Sequence, residues 1–292
     1  MIWLIGNKGM LGTDVEEGFK RMNVDYFASD REVDIMDHEA LKNFIGDRDI
    51  QWIVNCSAYT AVDKAEDEPA MAFGINAEGV LNIVKIAKWK KARLIHVSTD
   101  YVFDGHNNDG YVEQDETKPM GIYGRSKLEG ERNIIDNLSC YFIIRISWLF
   151  GKHGNNFVYT MLRLFGERDE VRVVSDQWGS PSYARDVAEV ISKIIIDDHK
   201  EYGIYHFTNE GMTNWFEFAM EIYRLAREYE LIGKSVQIVQ VTTEEYPTRA
   251  ERPKNSYLSK EKIKGALSIS ISSWQRAIDN FLRDIANNKM NK

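Results

Sequence analysis

MIWLIGNKGMLG, residues 1–12, opens the chain and decides its fold. A short apolar run typical of a buried strand comes first, and a helix-compatible segment, residues 13–22, follows. Between them stand Gly6, Gly9 and Gly12, in the spacing G-x-x-G-x-x-G rather than the G-x-G-x-x-G of many dehydrogenases. Such glycines permit a tight turn, bring backbone N–H groups near a pyrophosphate and let the helix pack on the strand. The stretch therefore predicts a dinucleotide-binding βα unit, with the phosphates at the helix N-terminus.

A second apolar run, residues 24–28, reads as the next strand and ends close to Asp30 and Arg31. An acidic residue about 20 positions after the glycine loop is typical of a contact with a ribose 2′-hydroxyl. The adjacent guanidinium is instead suited to a 2′-phosphate. The residues therefore leave NADH and NADPH both open, and the two charges are also compatible with an ordinary solvated turn.

Strand-like and helix-like segments continue to alternate after this unit. The strand-like segments are residues 51–55, 93–97, 141–146, 171–175, 202–207 and 235–241, and the helix-like ones are 68–90, 123–137, 184–196 and 214–229. This alternation predicts an α/β fold, a Rossmann-like doubly wound parallel sheet with a smaller, interleaved α/β substrate-binding lobe. The polar loop 106–120 is expected to be an exposed excursion, and the aromatic stripe of 214–229 is expected to be core.

The domain boundaries follow from where the alternation loses its regularity. Residues 1–150 are predicted to form the dinucleotide-binding domain, with residues 176–200 returning to it. Residues 151–175 and 201–292 are predicted to form mainly the substrate-binding lobe. No repeat or low-complexity linker separates the two parts.

Bulk composition limits the partners. There are 37 basic and 45 acidic residues, which gives a net charge of −8 and argues against nucleic acid or an anionic membrane as the main partner. The two cysteines do not form a disulfide framework, and the apolar start is too short for a signal segment or a membrane span. A cytoplasmic protein in a reducing compartment is expected.

The stretch Ser98–Lys127 gathers the groups that a carbonyl reductase needs. Thr99 follows a strand-like run, whereas Tyr123 and Lys127 are four residues apart and so share one helix face. An ammonium near a phenol favours the phenolate and is expected to lower the pKa of Tyr123 toward neutrality. Tyr123 is then the predicted general acid, Thr99 a second contact to the carbonyl oxygen and Lys127 a contact to the nicotinamide ribose. The alternative is that Tyr123 and Lys127 form a surface pair on an amphipathic helix. Their occurrence in one chain with the glycine loop favours a nicotinamide-dependent reductase.

Several motifs give the chain a family resemblance. They are NCSAYTAVDKAE (55–66), STDYVFDG (98–105), YGRSKLEGE (123–131), RISWLFG (145–151), DQWGSP (176–181) and RPKNSYLSKEK (252–262), together with the glycine loop. The chain resembles the extended short-chain dehydrogenase/reductase family, and within it the members that reduce a keto group on a dTDP-linked deoxysugar. The resemblance implies reduction of the C4 carbonyl of dTDP-4-dehydro-6-deoxy-L-mannose by NADPH or NADH, with Thr99, Tyr123 and Lys127 as the catalytic triad.

The resemblance also implies roles for residues outside the triad. Those near the cofactor phosphates, adenine and cofactor path are Gly9, Met10, Leu11, Asp34, Ile35, Ala58, Tyr59 and Thr60. Those near the sugar nucleotide are Asp100, Trp148, Asn156 and Arg252, the last because a guanidinium suits a diphosphate. Tyr59 stands where the family usually has histidine, and Ser182 where threonine is common. Asn76 is compatible with a surface, core or site-supporting role.

Two alternatives remain open at this point. One is a 4-ketoreductase for another nucleotide-linked deoxysugar. The other is a non-catalytic regulatory subunit, like the β subunit of methionine adenosyltransferase, which shares this fold and cofactor site. The resemblance also allows a homodimer bridged by Mg²⁺ through carboxylates, but no ligand spacing assigns a metal residue.

Overall fold

The structure is a computed structural model that describes residues 1–290. Its central sheet has six strands, all paired in parallel, in the order β10-β5-β4-β3-β1-β2. The strands are β1 (Ile2–Ile5), β2 (Tyr26–Ser29), β3 (Trp52–Asn55), β4 (Arg93–Thr99), β5 (Tyr141–Ile146) and β10 (Gly203–His206). Strands buried on both faces form continuous apolar runs, as β1 does.

Helices cover both faces of this sheet, which confirms the predicted doubly wound α/β class. On one face, α1 (Met10–Arg21) packs against α8 (Ala184–Ile196), and their apolar sides share a core with the strands. On the other face lie α2 (His38–Ile45), α5 (Val80–Lys90) and α6 (Ile122–Ile135). Asp37 caps α2, because its carboxylate accepts from the N–H groups of Glu39 and Ala40.

The predicted helix 68–90 contains an interruption. After the short α3 (Val62–Ala65), α4 (Pro69–Phe73) passes into a π-helical turn, Gly74–Gly79, and then into α5. By length and composition, the run Pro69–Lys90 would be able to cross a membrane, but 61% of the window is buried inside the protein. It therefore has the character of a core helix.

The second lobe has its own apolar core. Its elements are β6 (Leu149–Phe150), α7 (Phe157–Glu167), β7 (Glu170–Val174), β8 (Trp178–Gly179), β9 (Ser182–Tyr183), β11 (Thr213–Asn214), α9 (Trp215–Glu228), β12 (Gln237–Val241) and α11 (Trp274–Met290). Three small sheets join them: β7 with β12, β8 with β11 and β6 with β9.

Two sequence expectations need correction. Residues 203–206 are not part of the substrate lobe, since β10 pairs with the free edge of β5 as the sixth strand of the main sheet, and α10 (Glu261–Leu267) packs with the same core. The loop 106–120 is not simply exposed either. Tyr111 is buried and stacks on Phe103 with ring centroids 4.1 Å apart, so part of the loop belongs to a small satellite core.

Candidate active site

The glycine loop has the shape that a pyrophosphate requires. Gly6 has a φ of +80°, and a Cβ on Gly12 would lie 2.0 Å from the Gly6 carbonyl oxygen. Gly9 is the N-cap residue of α1, where no side chain caps the helix, and the first turn of α1 contains no acidic residue. Because the first N–H groups of a helix have no partners within the helix, those of α1, which begins with Met10 and Leu11, are available to an anion. The residues present therefore fit a dinucleotide.

The end of β2 carries the residues predicted to choose between NADH and NADPH. Asp30 is half-buried and Arg31 exposed. Lys8 reaches the same region from the glycine loop and forms an ion pair with Glu32 at 3.0 Å. The backbone N–H of Asp30 also donates to Glu32, and these two contacts lower the pKa of the Glu32 carboxyl to about 2. Two cations, Lys8 and Arg31, thus lie near the end of β2, and Lys8 is paired with Glu32.

The two residues expected near the adenine, Asp34 and Ile35, differ in their exposure to solvent. Asp34 is exposed, and its carboxylate accepts from the Met36 N–H. Ile35 is buried against Gly79 of the π-helical turn, where a Cβ would lie 2.7 Å from the Ile35 side chain. Of these two residues, only Ile35 has an apolar side chain whose position is fixed by packing.

Asn76 fixes the predicted cofactor path after β3. Its side-chain amide accepts from the Tyr59 N–H at 2.9 Å and donates to the Tyr59 carbonyl at 3.0 Å, which clamps the segment Ala58–Thr60. The same amide donates to the Ser126 hydroxyl on α6. Asn76 lies in the π-helical turn, a feature frequent at functional sites. The Tyr59 phenol donates to Glu68 at 2.7 Å, and this bond raises the pKa of Tyr59 to about 12.

Thr99 and Tyr123 meet at the carboxyl end of β4. Thr99 is the last residue of that strand, and Tyr123 lies in the first turn of α6. Burial raises the pKa of Tyr123 to about 12, while the nearby Thr99 hydroxyl, which itself donates to Asp100 Oδ1 at 2.9 Å, acts in the opposite direction. The expectation of a lowered phenol pKa is therefore wrong for this structure, because loss of solvation outweighs the favourable contacts. Tyr123 is a phenol at neutral pH, with its proton available.

Lys127 follows Tyr123 by one helical turn but has other partners. It is 2% exposed, and its Nζ donates to the Val97 carbonyl at 2.7 Å and lies 3.2 Å from His96 Nε2. Burial lowers the pKa of Lys127 to about 8. The structure thus brings Lys127 to the same strand end as Thr99, while its amino group points to the β4 backbone.

A buried ion pair joins the second half of α6 to the central sheet. Arg145 of β5 donates to Glu131 through Nε at 3.0 Å and through Nη2 at 2.6 Å, and Ser98 donates to the same carboxylate. The side chains of Glu131 and Arg145 are 0% and 3% exposed. The sequence analysis missed this pair, although a charged residue within each apolar segment was the available signal.

The predicted sugar-nucleotide residues lie on the other side of the strand end. Asp100 is buried, burial raises its pKa to about 6, and its Oδ2 has no protein partner among the described residues. Trp148 has a φ of +47° and stacks on Trp215 with ring centroids 3.7 Å apart. The aromatic stripe of α9 belongs to the core of the second lobe as expected, and Trp215 in addition stacks on Trp148.

The two remaining substrate candidates differ. Arg252 donates to Asp63 at 2.6 Å, and its Nη1 is buried without a protein partner in the described chain. Asn156 caps α7: its amide accepts from the Tyr159 N–H and donates to the Gly151 carbonyl. Its polar atoms are therefore occupied by local structure, whereas Arg252 retains a free donor.

The fold and this site define a class of protein, the extended short-chain dehydrogenases/reductases. A family model described as "RmlD substrate binding domain" matches residues 1–287. The dTDP-4-dehydrorhamnose reductase of Aggregatibacter actinomycetemcomitans is 42% identical over 253 residues, 85% of this chain and 86% of its own length. That of Escherichia coli (strain K12) is 34% identical over 291 residues, 97% of each chain. The chain belongs to the dTDP-4-dehydrorhamnose reductase family.

Solved structures agree with this assignment. A Bacillus anthracis dTDP-4-dehydrorhamnose reductase in complex with NADP has a TM-score of 0.91 and 37% identity, and the match covers 97% of this chain and 98% of that one. The Thermus thermophilus UDP-glucose 4-epimerase in complex with NAD has a TM-score of 0.76 but only 18% identity over 97% of this chain and 99% of that one, and so shares the fold alone.

Proposed function

We propose that this chain reduces the C4 carbonyl of dTDP-4-dehydrorhamnose to the alcohol of dTDP-L-rhamnose, with NADPH as the hydride donor. The observation that carries the proposal is the placement of Tyr123, in the first turn of α6, beside Thr99 at the carboxyl end of β4. The dTDP-4-dehydrorhamnose reductases to which the chain is similar support the choice of substrate.

Tyr123 is the proposed general acid. When bound, the nicotinamide supplies a hydride to the carbonyl carbon. The Tyr123 phenol gives its proton to the carbonyl oxygen as charge develops there, so the C=O double bond becomes a C–O single bond and an O–H bond forms. The phenol is protonated before the reaction begins, although burial makes it a weaker acid than a free tyrosine. The Thr99 hydroxyl borders the same oxygen position and orients the carbonyl.

The sugar nucleotide is proposed to lie between Asp100, Trp148 and Arg252. The free Oδ2 of Asp100 would accept from a sugar hydroxyl, and the free Nη1 of Arg252 would donate to a diphosphate oxygen. Stacked on Trp215, the Trp148 ring presents a flat apolar surface to a sugar or base. Asn156 contributes by fixing the start of α7 rather than by a free polar atom.

The preference for NADPH rests on Lys8 and Arg31 at the end of β2. Either cation can receive a 2′-phosphate, and the similar Bacillus anthracis enzyme was solved with NADP. Arg31→Ala is expected to weaken NADPH binding about tenfold, the loss of one charge-assisted contact, and to leave NADH binding within about twofold. Equal losses for both cofactors would contradict the assignment. The Mg²⁺ allowed by the resemblance remains unassigned to any residue.

The test of function uses purified protein, dTDP-4-dehydrorhamnose and NADPH deuterated at the transferable C4 position. Consumption of the cofactor with deuterium at C4 of a dTDP-L-rhamnose product is the expected result. Consumption only with a different nucleotide-linked deoxysugar would redirect the substrate, and no consumption with any of them would overturn the reductase proposal. Light scattering of the same preparation tests the predicted homodimer.

A further inference from the structure

The Asp63 carboxylate joins α3 to the loop that follows β12. Asp63 lies in the first turn of α3, and its Oδ2 accepts from Arg252 Nη2 at 2.6 Å. The other carboxylate oxygen, Oδ1, accepts from the backbone N–H of Ala250 at 3.0 Å. Both contacts come from atoms of one planar group. Asp63 therefore sets the direction of the Arg252 guanidinium relative to its own loop.

The backbone that follows Arg252 is held by other contacts. The Asn255 N–H donates to the Gly105 carbonyl at 3.1 Å. A Cβ on Gly105 would lie 2.6 Å from Pro253, so these two segments are in close contact. The path of the loop is thus fixed by its packing, whereas the direction of the guanidinium depends on the carboxylate of Asp63.

The shape of a guanidinium makes its contact with Asp63 directional. The N–H groups of Arg252 lie in one plane in a fixed fork, so the position of Nη2 determines that of Nη1. Nη1 is buried and has no protein partner among the described residues, and the Arg252 side chain is only 19% exposed. A buried, charged donor without a partner is unfavourable, which makes Nη1 a place for an oxygen of a bound ligand.

The location of Arg252 fits the shape of a nucleotide-linked hexose. Its guanidinium lies close enough to Tyr101 to act against the rise in the pKa of that phenol that burial causes. The Tyr101 ring packs edge-on against Tyr123, with ring centroids 5.4 Å apart. A single aromatic ring therefore separates Arg252 from the proposed general acid. In such a substrate the diphosphate is attached at C1, across the sugar ring from C4, so a C4 carbonyl at Tyr123 brings the diphosphate toward Arg252.

The charge of Asp63 and its contact with Arg252 predict opposite effects on substrate binding. A carboxylate near a diphosphate repels it, so charge alone predicts tighter binding once the carboxylate is removed. The contact predicts weaker binding after that change, because an undirected guanidinium has to be ordered when the ligand binds. The Asp63 side chain is 48% exposed, so solvent screens its charge, whereas its bond to Arg252 is direct. We therefore expect the loss of direction to outweigh the loss of repulsion.

We propose that Asp63 is a positioning residue for the substrate: its carboxylate directs the Arg252 guanidinium so that Nη1 binds a diphosphate oxygen of the sugar nucleotide. The inference deepens the proposed function and rests on it for the identity of the ligand. Asp63 itself contacts neither the sugar nor the reacting atoms. Its effect applies to the bound substrate and to the transition state alike, so it changes KM rather than kcat.

Asp63→Asn and the control Asp67→Asn separate direction from charge. Both changes remove one carboxylate from the same short stretch, but Asp67 pairs with the exposed Arg249. Asparagine has an NH₂ donor in place of one acceptor oxygen, so it cannot hold both Arg252 and Ala250. We expect KM for dTDP-4-dehydrorhamnose to rise about tenfold in Asp63→Asn, with kcat within about twofold, and both constants to stay at the parent value in Asp67→Asn. An unchanged or lower KM in Asp63→Asn, or equal rises in the two variants, would overturn the proposal.

Arg252→Ala completes a double-mutant cycle with Asp63→Asn. Because Asp63 is proposed to act only through the guanidinium, Asp63→Asn is expected to have no further effect on KM when Arg252 is already alanine. Losses that add in the double variant would show that Asp63 acts on the substrate by another route, and they would refute positioning.

Binding of dTDP and of thymidine tests the contact without turnover. Isothermal titration calorimetry on the full-length protein measures both, and only dTDP carries a diphosphate. We expect Asp63→Asn to weaken dTDP binding about tenfold and thymidine binding by less than about twofold. Equal weakening of the two ligands, or no binding of dTDP by the parent protein, would contradict the assignment. If dTDP binding depends on Asp63 but the parent protein reduces no sugar nucleotide, the proposed function fails and the positioning role stands.

Discussion

Glu131→Gln tests how α6 is held on the central sheet. The side chains of Glu131 and Arg145 are 0% and 3% exposed, and the carboxylate accepts at 3.0, 3.2 and 2.6 Å from the guanidinium. The glutamine keeps the shape but removes the charge, so the Arg145 cation stays buried with a weaker, neutral acceptor. Breaking one side of such a pair costs about 3–5 kcal/mol.

For a chain of this size, 1 kcal/mol corresponds to about 2 °C in Tm, so the expected loss is about 6–10 °C. Thermal unfolding followed by circular dichroism measures it, and urea unfolding gives the free energy directly. Glu129→Gln on the same helix is the control, because its pair with Arg132 is 3.4 Å long and its side chains are 46% and 60% exposed. That change is expected to cost less than about 1 kcal/mol. Equal losses for the two variants would refute the reasoning.

Three further substitutions test the glycine loop, a buried carboxylate and the stacked pair of tryptophans. Gly12→Ala places a Cβ 2.0 Å from the Gly6 carbonyl oxygen and is expected to abolish cofactor binding, measured by fluorescence titration. Gly166→Ala is the control, because the space around Gly166 is open, and it is expected to leave binding unchanged. Retained binding in Gly12→Ala would contradict the loop geometry. Burial raises the pKa of Asp14 to about 6 from 3.8, so its charged form destabilises the fold above pH 6 and the effect disappears below about pH 4. Asp14→Asn is therefore expected to gain about 3 kcal/mol at pH 7.5 in urea unfolding, with no gain at pH 4, and a pH-independent difference would contradict the burial argument. Trp215→Ala removes the ring stacked on Trp148. We expect KM for the sugar nucleotide to rise about tenfold and KM for NADPH to change little. Equal changes in the two constants would argue against a substrate-binding surface at Trp148.

The regular elements were predictable because local pattern and tertiary burial agree. The strand at residues 141–146 and the helix at 184–196 have the bounds that the sequence indicates, since each has an unbroken apolar run or stripe. The glycine loop was predictable for a similar reason, because glycines at this spacing between a strand and a helix indicate a βα unit. The position of β10 in the central sheet was not predictable. The sequence of a four-residue strand next to an irregular region does not reveal which sheet edge the strand will join.

The sequence predicts which residues form the candidate site but does not indicate their contacts. Thr99 and Tyr123 follow from a strand end and a helix turn, so pattern alone brings them together. The partners of Lys127 come from β4, and the sequence contains no signal that a buried histidine at position 96 would face it. The same is true of Trp215, whose helix stripe predicts a buried face but not a stack on Trp148. Contacts between distant segments are set by packing.

The central claim is that Tyr123 donates the proton in carbonyl reduction. Initial rates of NADPH oxidation with dTDP-4-dehydrorhamnose, compared between the parent protein and Tyr123→Phe, test it most directly. Tyr159→Phe is the control, because that hydroxyl bonds only to the Lys152 carbonyl among the described residues. We predict that kcat falls about 10²–10⁴-fold in Tyr123→Phe, with KM changed less than about threefold, and stays at the parent value in Tyr159→Phe. Parent-like rates in Tyr123→Phe, or no oxidation by the parent protein, would contradict the account.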